Sequence, residues 1–168
     1  PLLDQPCPVE RMSAVYALGR NPCPSAVQKL VNLLKTDDNA YVRRATAWSL
    51  ANYDNQIVLE PLINALKNDV AAVRLWSSSS LAEIGNVSLK NAQLAAEQLL
   101  ISLKIDNESG VRSNCIWSLC RLYEKLNDTY QETFVDECTK IALFDKEPSV
   151  MEEAKTALDS MGMQGFYN

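Results

Sequence analysis

Four arginines recur along this chain at separations of 32, 31 and 38 residues, and a leucine follows each of them seven positions later. The arginines are Arg11, Arg43, Arg74 and Arg112, and their leucines are Leu18, Leu50, Leu81 and Leu119. A fifth copy keeps the spacing at Met151 and Leu158 but has no arginine. Repeats of this length are typical of helix-turn-helix units that stack and bury one another's apolar faces. The sequence therefore predicts an all-α solenoid of about four to five repeats, the first one incomplete.

Each repeat is predicted to hold two helices. The second helix carries small and apolar residues at positions i, i+4, i+5 and i+8, the spacing of a buried helical face. In the second repeat these residues are Val42, Thr46, Ala47 and Leu50. Apolar runs at 26–34, 57–66, 94–103 and 134–143 predict the first helices. Because the first repeat starts with its second helix near Pro8, we expect a single domain, residues 1–168, that lacks an N-terminal helix or cap.

An aspartate stands five or six residues before each of the last four arginine positions. These aspartates are Asp37, Asp69, Asp106 and Asp145. A short acidic side chain in the turn between two helices can cap the second helix, and it can also pair with an arginine of its own or of the adjacent repeat. Both roles are structural, so we expect these residues to hold the fold together rather than to bind a ligand.

Composition and charge narrow the functions that such a chain can have. A net charge of −5 and a pI near 4.8 argue against nucleic acid, and no stretch approaches the ~20 apolar residues of a membrane span. The lack of histidine removes Ser-His and Cys-His dyads and histidine-bearing metal sites. Five cysteines at irregular spacing do not form a disulfide pattern, which favours a reducing, cytoplasmic location. We therefore expect a protein partner and no metal.

A candidate binding face lies on the side of the second helices that points away from the buried stripe. The residues five positions after the arginine sites point there, namely Tyr16, Trp48, Ser79 and Trp117, followed by Thr156 in the fifth copy. Leu75 and Trp76 are expected on the same side, so that all three tryptophans share one groove. The alternative is that each tryptophan packs between adjacent second helices and meets no ligand.

Charged residues are expected to border these aromatic side chains. Arg44 and Arg121 supply cations and Glu83 a carboxylate near the centre of the groove, with Asn114 as a polar companion. Aromatic rings bordered by arginines suit a flat amphipathic ligand with acidic groups, or an inserted helix or loop of a protein partner.

Two stretches, AYVRRATAWSLANYDNQIVLEPLINALKND and AAVRLWSSSSLAEIG, resemble the HEAT-like repeats of the phycobilin lyase E/F-type family. The shared pattern is Val-Arg, two small residues three and four positions after the arginine, and the leucine, and the similarity covers nearly the whole chain. The chain departs from the pattern at Met151, where the arginine is missing, and in the serine run at 77–80. The resemblance implies a right-handed α-solenoid of HEAT-like repeats whose second helices line a concave surface.

The resemblance also implies a role in phycobiliprotein biogenesis. A bilin lyase, or a subunit of one, binds a linear tetrapyrrole (bilin) and delivers it to a phycobiliprotein cysteine through a thioether bond. Arg44 or Arg121 would then pair with bilin propionates, Glu83 would engage pyrrole N–H groups, and Tyr16 could donate a proton. The partner would be a phycobiliprotein subunit or a second HEAT-like subunit. The other interpretation is a scaffold or chaperone that holds a protein partner on the concave face without chemistry.

Overall fold

A computed structural model describes residues 1–54, 56–163 and 165 of the chain. Within them the backbone forms nine α-helices. These are α1 Pro8–Arg20, α2 Val27–Thr36, α3 Ala40–Leu50, α4 Leu59–Asn68, α5 Ala71–Gly85, α6 Leu89–Ile105, α7 Ser109–Leu122, α8 Asp128–Phe144 and α9 Pro148–Ser160. Short 3-10 helices occur at Leu2–Asp4, Pro24–Ala26, Gln56–Val58 and Tyr123–Lys125.

The helices stack in two layers. The first helices of successive repeats are α2, α4, α6 and α8, and the second helices are α1, α3, α5, α7 and α9. Each second helix from α3 onward packs against the first helix of its own repeat, and adjacent second helices pack against each other. The second helices lie closer together than the first helices do, and in a curved stack the more closely spaced layer is on the inside. The prediction of an all-α solenoid is confirmed.

The predicted stripe forms the core beneath the second helices. Val42, Thr46, Ala47 and Leu50 are fully buried, and each buried leucine of this kind stabilises the fold by roughly 1.5–3 kcal/mol. The Thr46 hydroxyl remains satisfied because it donates to the Val42 carbonyl at 2.7 Å. Leu18 is only half-buried, because a 3-10 turn rather than a first helix precedes α1 in the described residues.

A ladder of arginine-aspartate pairs joins consecutive repeats along the edge where the first helix turns into the second. Arg43 donates to both carboxylate oxygens of Asp69, from Nε at 3.0 Å to Oδ2 and from Nη2 at 2.9 Å to Oδ1. Its Nη1 donates to the Asp37 carbonyl of its own turn at 2.8 Å. The same bidentate geometry occurs in the pairs Arg11–Asp37, Arg74–Asp106 and Arg112–Asp145.

Each arginine therefore pairs forward, with the aspartate of the next repeat. The aspartates follow the first helices directly and are not the N-caps of the second helices. They act on the turn instead, since Asp37 Oδ1 accepts from the Asn39 N–H at 3.0 Å and Asp145 Oδ1 from the Glu147 N–H at 2.9 Å. Each carboxylate thus fixes its own turn and binds the preceding repeat.

Serine hydroxyls make a second set of links, between neighbouring second helices. Ser80 Oγ donates to the Ala47 carbonyl at 2.7 Å, and Ser118 Oγ donates to the Ser78 carbonyl at 2.7 Å. Both serines stand six residues after the arginine of their repeat and are buried. Part of the serine run that replaces small apolar residues in α5 therefore serves contacts between repeats.

Candidate functional site

All the residues predicted for the binding groove lie on the second helices. We call the surface that they share the second-helix face; it carries Tyr16, Arg44, Trp48, Leu75, Trp76, Ser79, Glu83, Trp117 and Arg121. The structure does not present its three tryptophans equally. Trp76 is 38% exposed and Trp117 is 46% exposed, whereas Trp48 is partly buried. The first two are the large aromatic side chains that this face offers to a partner.

Trp48 holds α1 against α3. Its ring centroid lies 5.5 Å from that of Tyr16 at an interplanar angle of 56°, a tilted aromatic contact. Its Cζ3 atom occupies the space where a Cβ would stand at Gly19, so the indole packs directly on the backbone of α1. Trp48 and Tyr16 therefore follow the alternative in which an aromatic side chain packs between adjacent second helices instead of facing a ligand.

Trp117 belongs to a charged and aromatic cluster that joins α5 and α7. The Arg121 guanidinium carbon lies 5.0 Å from the centroid of the Trp117 ring, within the range of a cation-π interaction. Arg121 Nη2 also donates to Glu83 Oε1 at 2.8 Å. Both partners of this ion pair are open to solvent, with 44% and 47% of their side chains exposed. The structure thus brings together three residues that the sequence assigned to the groove.

Ser79 and Leu75 are engaged by α7. Asn114 Nδ2 donates to the Leu75 carbonyl at 2.9 Å and to Ser79 Oγ at 2.7 Å, and the Leu75 side chain packs against the core. These two residues shape the floor of the face. Their polar atoms already have partners within the protein.

Arg44 is a cation of the second-helix face without an acidic partner among the described residues. Its guanidinium carbon lies 5.2 Å from the centroid of the Tyr41 ring, and its Nε is buried without a hydrogen bond. Trp76 holds the repeat position of Asn114. Asn114 contacts the residues one and five positions after the preceding arginine, and the residues at the equivalent positions before Trp76 are Arg44 and Trp48.

A groove of about 420 Å³ opens beside Trp117, between α7 and α9. Apolar lining comes from Ile116 and Ala157, and a thiol from Cys120. Burial raises the pKa of the Cys120 thiol to about 11, so the thiol is protonated at neutral pH. Trp117 was predicted from the sequence for this face but Cys120 was not, although it stands where the two preceding repeats have alanine.

The described residues contain no group of three or more cysteine, aspartate or glutamate side chains arranged to hold a metal ion. None of their helices is long and apolar enough to cross a membrane.

A two-layer stack of helix pairs with an arginine-aspartate ladder and an aromatic inner face defines a repeat scaffold. The chain belongs to the HEAT repeats family, whose model matches residues 1–82 and 27–120. A search of curated protein sequences finds no match.

Solved repeat-protein structures share the fold. An engineered protein is similar with a TM-score of 0.67 and 23% identity, covering 94% of this chain and 76% of its own. A designed armadillo repeat protein has a TM-score of 0.62 and 20% identity, covering 94% of this chain and 78% of its own. Another designed armadillo repeat protein, in complex with the peptide (KR)4, has a TM-score of 0.55 and 17% identity, covering 99% and 97%.

Proposed function

We propose that this protein is a binding scaffold that holds a segment of a partner polypeptide along its second-helix face. The observation that carries the proposal is the exposure of Trp76 and Trp117, at 38% and 46%, on one layer of the stack. Exposed tryptophans on a rigid surface are favoured anchors of protein interfaces, because they bury a large area with little loss of side-chain freedom.

The groove beside Trp117 gives the partner a place for an apolar side chain. Its volume of about 420 Å³ lies within the range of small binding sites, and Ile116 and Ala157 provide an apolar lining. The Arg121–Glu83 pair borders Trp117 and remains solvated. This arrangement has the features of an interface core with a polar rim.

Arg44 favours a partner segment that carries a negative charge. Because Arg44 forms no ion pair within the described residues, a carboxylate of the partner gains a charge-assisted hydrogen bond without displacing an internal one. One structural neighbour is in complex with the basic peptide (KR)4. We propose a peptide segment of opposite charge for this chain, with an apolar side chain near Trp117 and an acidic one near Arg44.

The proposal is tested by incorporating 5-fluorotryptophan and recording fluorine NMR spectra. The three tryptophans give three signals, which Trp→Phe variants assign. Peptides selected from a random display library on the immobilised protein serve as probes. We expect the Trp76 and Trp117 signals to shift on titration, while the Trp48 signal, from the α1–α3 contact, serves as an internal reference. Selected peptides that leave both exposed tryptophans unchanged would contradict the proposal.

A second candidate is the bilin lyase or bilin chaperone function that the resemblance implies, acting in phycobiliprotein biogenesis. The arginine above Trp117 and the unpaired Arg44 favour it, because a linear tetrapyrrole combines a flat conjugated system with two propionates. In this role Glu83 would bind pyrrole N–H groups after release from Arg121, and Tyr16 would be the proton donor. Its partner would be a phycobiliprotein subunit or a second HEAT-like subunit in the cytoplasm.

Titration with phycocyanobilin and with phycoerythrobilin separates the two candidates. Saturable binding with increased red absorbance, lost in Trp117→Ala, would support bilin handling. Unchanged absorbance, together with peptide-induced shifts of the fluorine signals, would support the scaffold function instead.

A further inference from the structure

A second apolar surface lies outside the second-helix face, where α6 and α8 end. Ile105 is 68% exposed and Phe144 is 80% exposed, and both line a groove of about 400 Å³ between these helices. We call it the α6–α8 groove. Side chains as exposed as these contribute little to the core, so the packing of the solenoid does not explain them.

The repeat alignment shows that the fold does not require apolar residues at these two positions. Ile105 and Phe144 each stand immediately before the ladder aspartate of their repeat. The preceding repeats have Thr36 and Asn68 at that position, and both are exposed. The same backbone site is thus polar in two repeats and strongly apolar in the next two, which places a local hydrophobic surface at one end of the stack.

The groove is rimmed by positive charge, although the protein is acidic overall. Three lysines line it, namely Lys104, Lys140 and Lys146. The two aspartates in its wall are already bound, Asp106 by Arg74 and Asp145 by Arg112. Lys140 is paired with Glu137 at 2.6 Å and also feels the charge of Asp136. Lys104 and Lys146 make no ion pair within the described residues, although the charge of Lys146 helps to lower the pKa of Asp145, so two cations without an ion pair line the groove together with the exposed Phe144.

We propose that the α6–α8 groove binds an acidic peptide segment that carries one aromatic or large aliphatic side chain. The apolar side chain would pack between Ile105 and Phe144, and its acidic neighbours would pair with Lys104 and Lys146. Charge complementarity selects this occupant, since neither lysine forms an ion pair within the described residues and the carboxylate nearest Lys146, Asp145, is already bound by Arg112. An anionic membrane is a poorer match, because the apolar side chains line a concavity, which a single inserted side chain can fill and a flat bilayer surface cannot.

This site is separate from the second-helix face, because it lies at the ends of first helices and shares none of the residues discussed there. Its test uses the full chain and a random peptide display library, with parallel selections on four proteins. These are the unmodified protein, the double variant Ile105→Ser/Phe144→Ser, the double variant Lys104→Glu/Lys146→Glu, and the control Leu143→Ser. Leu143 is a suitable control because it is 43% exposed on α8 but does not line the groove.

We expect one group of peptides, rich in Asp and Glu around a single Phe, Trp or Leu, to bind the unmodified protein and Leu143→Ser. Binding of a synthetic copy, followed by fluorescence anisotropy, should weaken at least about 30-fold in Ile105→Ser/Phe144→Ser if Phe144 is an interface hot spot. The lysine double variant should weaken it about fivefold or more and should itself select basic peptides. Circular dichroism spectra and unfolding midpoints like those of the unmodified protein show that each variant is folded.

Three results would overturn the proposal. One is a selection in which no peptide depends on Ile105 and Phe144. Another is a set of peptides that depends on them but shows no acidic enrichment. The third is binding to vesicles of phosphatidylcholine and phosphatidylserine that is lost in Ile105→Ser/Phe144→Ser, while no selected peptide depends on these two residues. That result would assign the groove to a lipid surface. Trp117→Ala should leave the selected acidic peptides bound, so failure of the second-helix face and failure of this site are distinguishable.

Discussion

The arginine-aspartate ladder predicts that two arginines of α7 differ greatly in their contribution to stability. Arg112 and Asp145 are each only 7% exposed, whereas Arg121 and Glu83 are 44% and 47% exposed. Replacing either arginine by Met removes the same charge and keeps an unbranched apolar side chain. The two variants therefore form a matched pair in which burial is the main difference.

Removing Arg112 leaves a buried carboxylate with one remaining donor, the Glu147 N–H. It also removes the hydrogen bonds to the Asp106 and Asn107 carbonyls at 3.0 and 3.2 Å. Breaking a buried pair on one side costs about 3–5 kcal/mol, whereas an exposed pair contributes about 0.2–1 kcal/mol. We expect Arg112→Met to lower the free energy of unfolding by about 4 kcal/mol and Arg121→Met by less than about 1 kcal/mol.

Urea unfolding followed by far-ultraviolet circular dichroism measures both values. If α8 and α9 separate from the stack in Arg112→Met, the slope of the transition should also fall, because less surface is exposed cooperatively. Equal losses in the two variants would refute the reasoning that burial of the ladder, rather than the presence of an ion pair, holds the repeats together.

The same pair predicts a dependence on pH. Burial raises the pKa of Asp145, but the hydrogen bonds from Arg112 and from the Glu147 N–H outweigh burial and hold this pKa below its usual value of 3.8. The stabilisation is therefore fully present above about pH 5 and is lost as pH falls through the lowered pKa of the folded state. In Arg112→Met only the Glu147 N–H hydrogen bond and the charge of Lys146 are left to oppose burial, so the pKa of Asp145 should rise and the stability difference from the unmodified protein should shrink towards about pH 3. A difference that stays constant with pH would contradict this assignment.

Three further variants or reactions test the packing. Gly19→Ala should cost about 1–3 kcal/mol in urea unfolding, because the added Cβ collides with the Trp48 ring; an unchanged midpoint would mean that Trp48 is not held against α1. Ser118→Ala should cost about 1 kcal/mol, since it removes the hydroxyl's hydrogen bond to a buried carbonyl of α5 that keeps only its helical donor, and no loss would contradict a role of this bond in joining α5 and α7. Iodoacetamide at mildly alkaline pH, followed by peptide mass spectrometry, should modify the exposed Cys7 and Cys23. It should spare the cysteines whose thiol pKa is raised by burial, which are Cys115, Cys120 and Cys138. Rapid modification of these three would contradict their burial in the core.

The fold was predictable because its signals are local and repeated. The spacing of Arg43, Leu50 and the residues between them follows one face of a single helix, and each copy confirms the others. The choice of partner for Arg43 was not predictable in this way, since Asp37 and Asp69 both lie within plausible reach. The structure decides it by the distance between stacked repeats, which places the carboxylate of Asp69 opposite the guanidinium and leaves Asp37 its backbone carbonyl.

The candidate site was only partly predictable, because equivalent positions face different neighbours. Trp48 and Trp117 both stand five residues after the arginine of their repeat, but Trp48 packs inward on Gly19 while Trp117 is 46% exposed. The residue equivalent to Gly19 in the repeat before Trp117 is Ala82, which carries a Cβ where Gly19 leaves room for the Trp48 ring. The glycine was visible in the sequence, but its contact with Trp48 depends on the register between two repeats, which no single repeat encodes.

Because each ladder arginine pairs with the aspartate of the following repeat, a repeat can be added without changing how its neighbours are joined. Residues 37–68 contain an aspartate bonded from the preceding repeat and an arginine, Arg43, that bonds to Asp69 of the following one. A tandem copy of this segment inserted after position 68 would meet the same donor on one side and the same acceptor on the other. The inner surface could then lengthen by whole repeats while the chemistry at every junction stayed constant, so the length of the array is free to vary independently of how its units are joined.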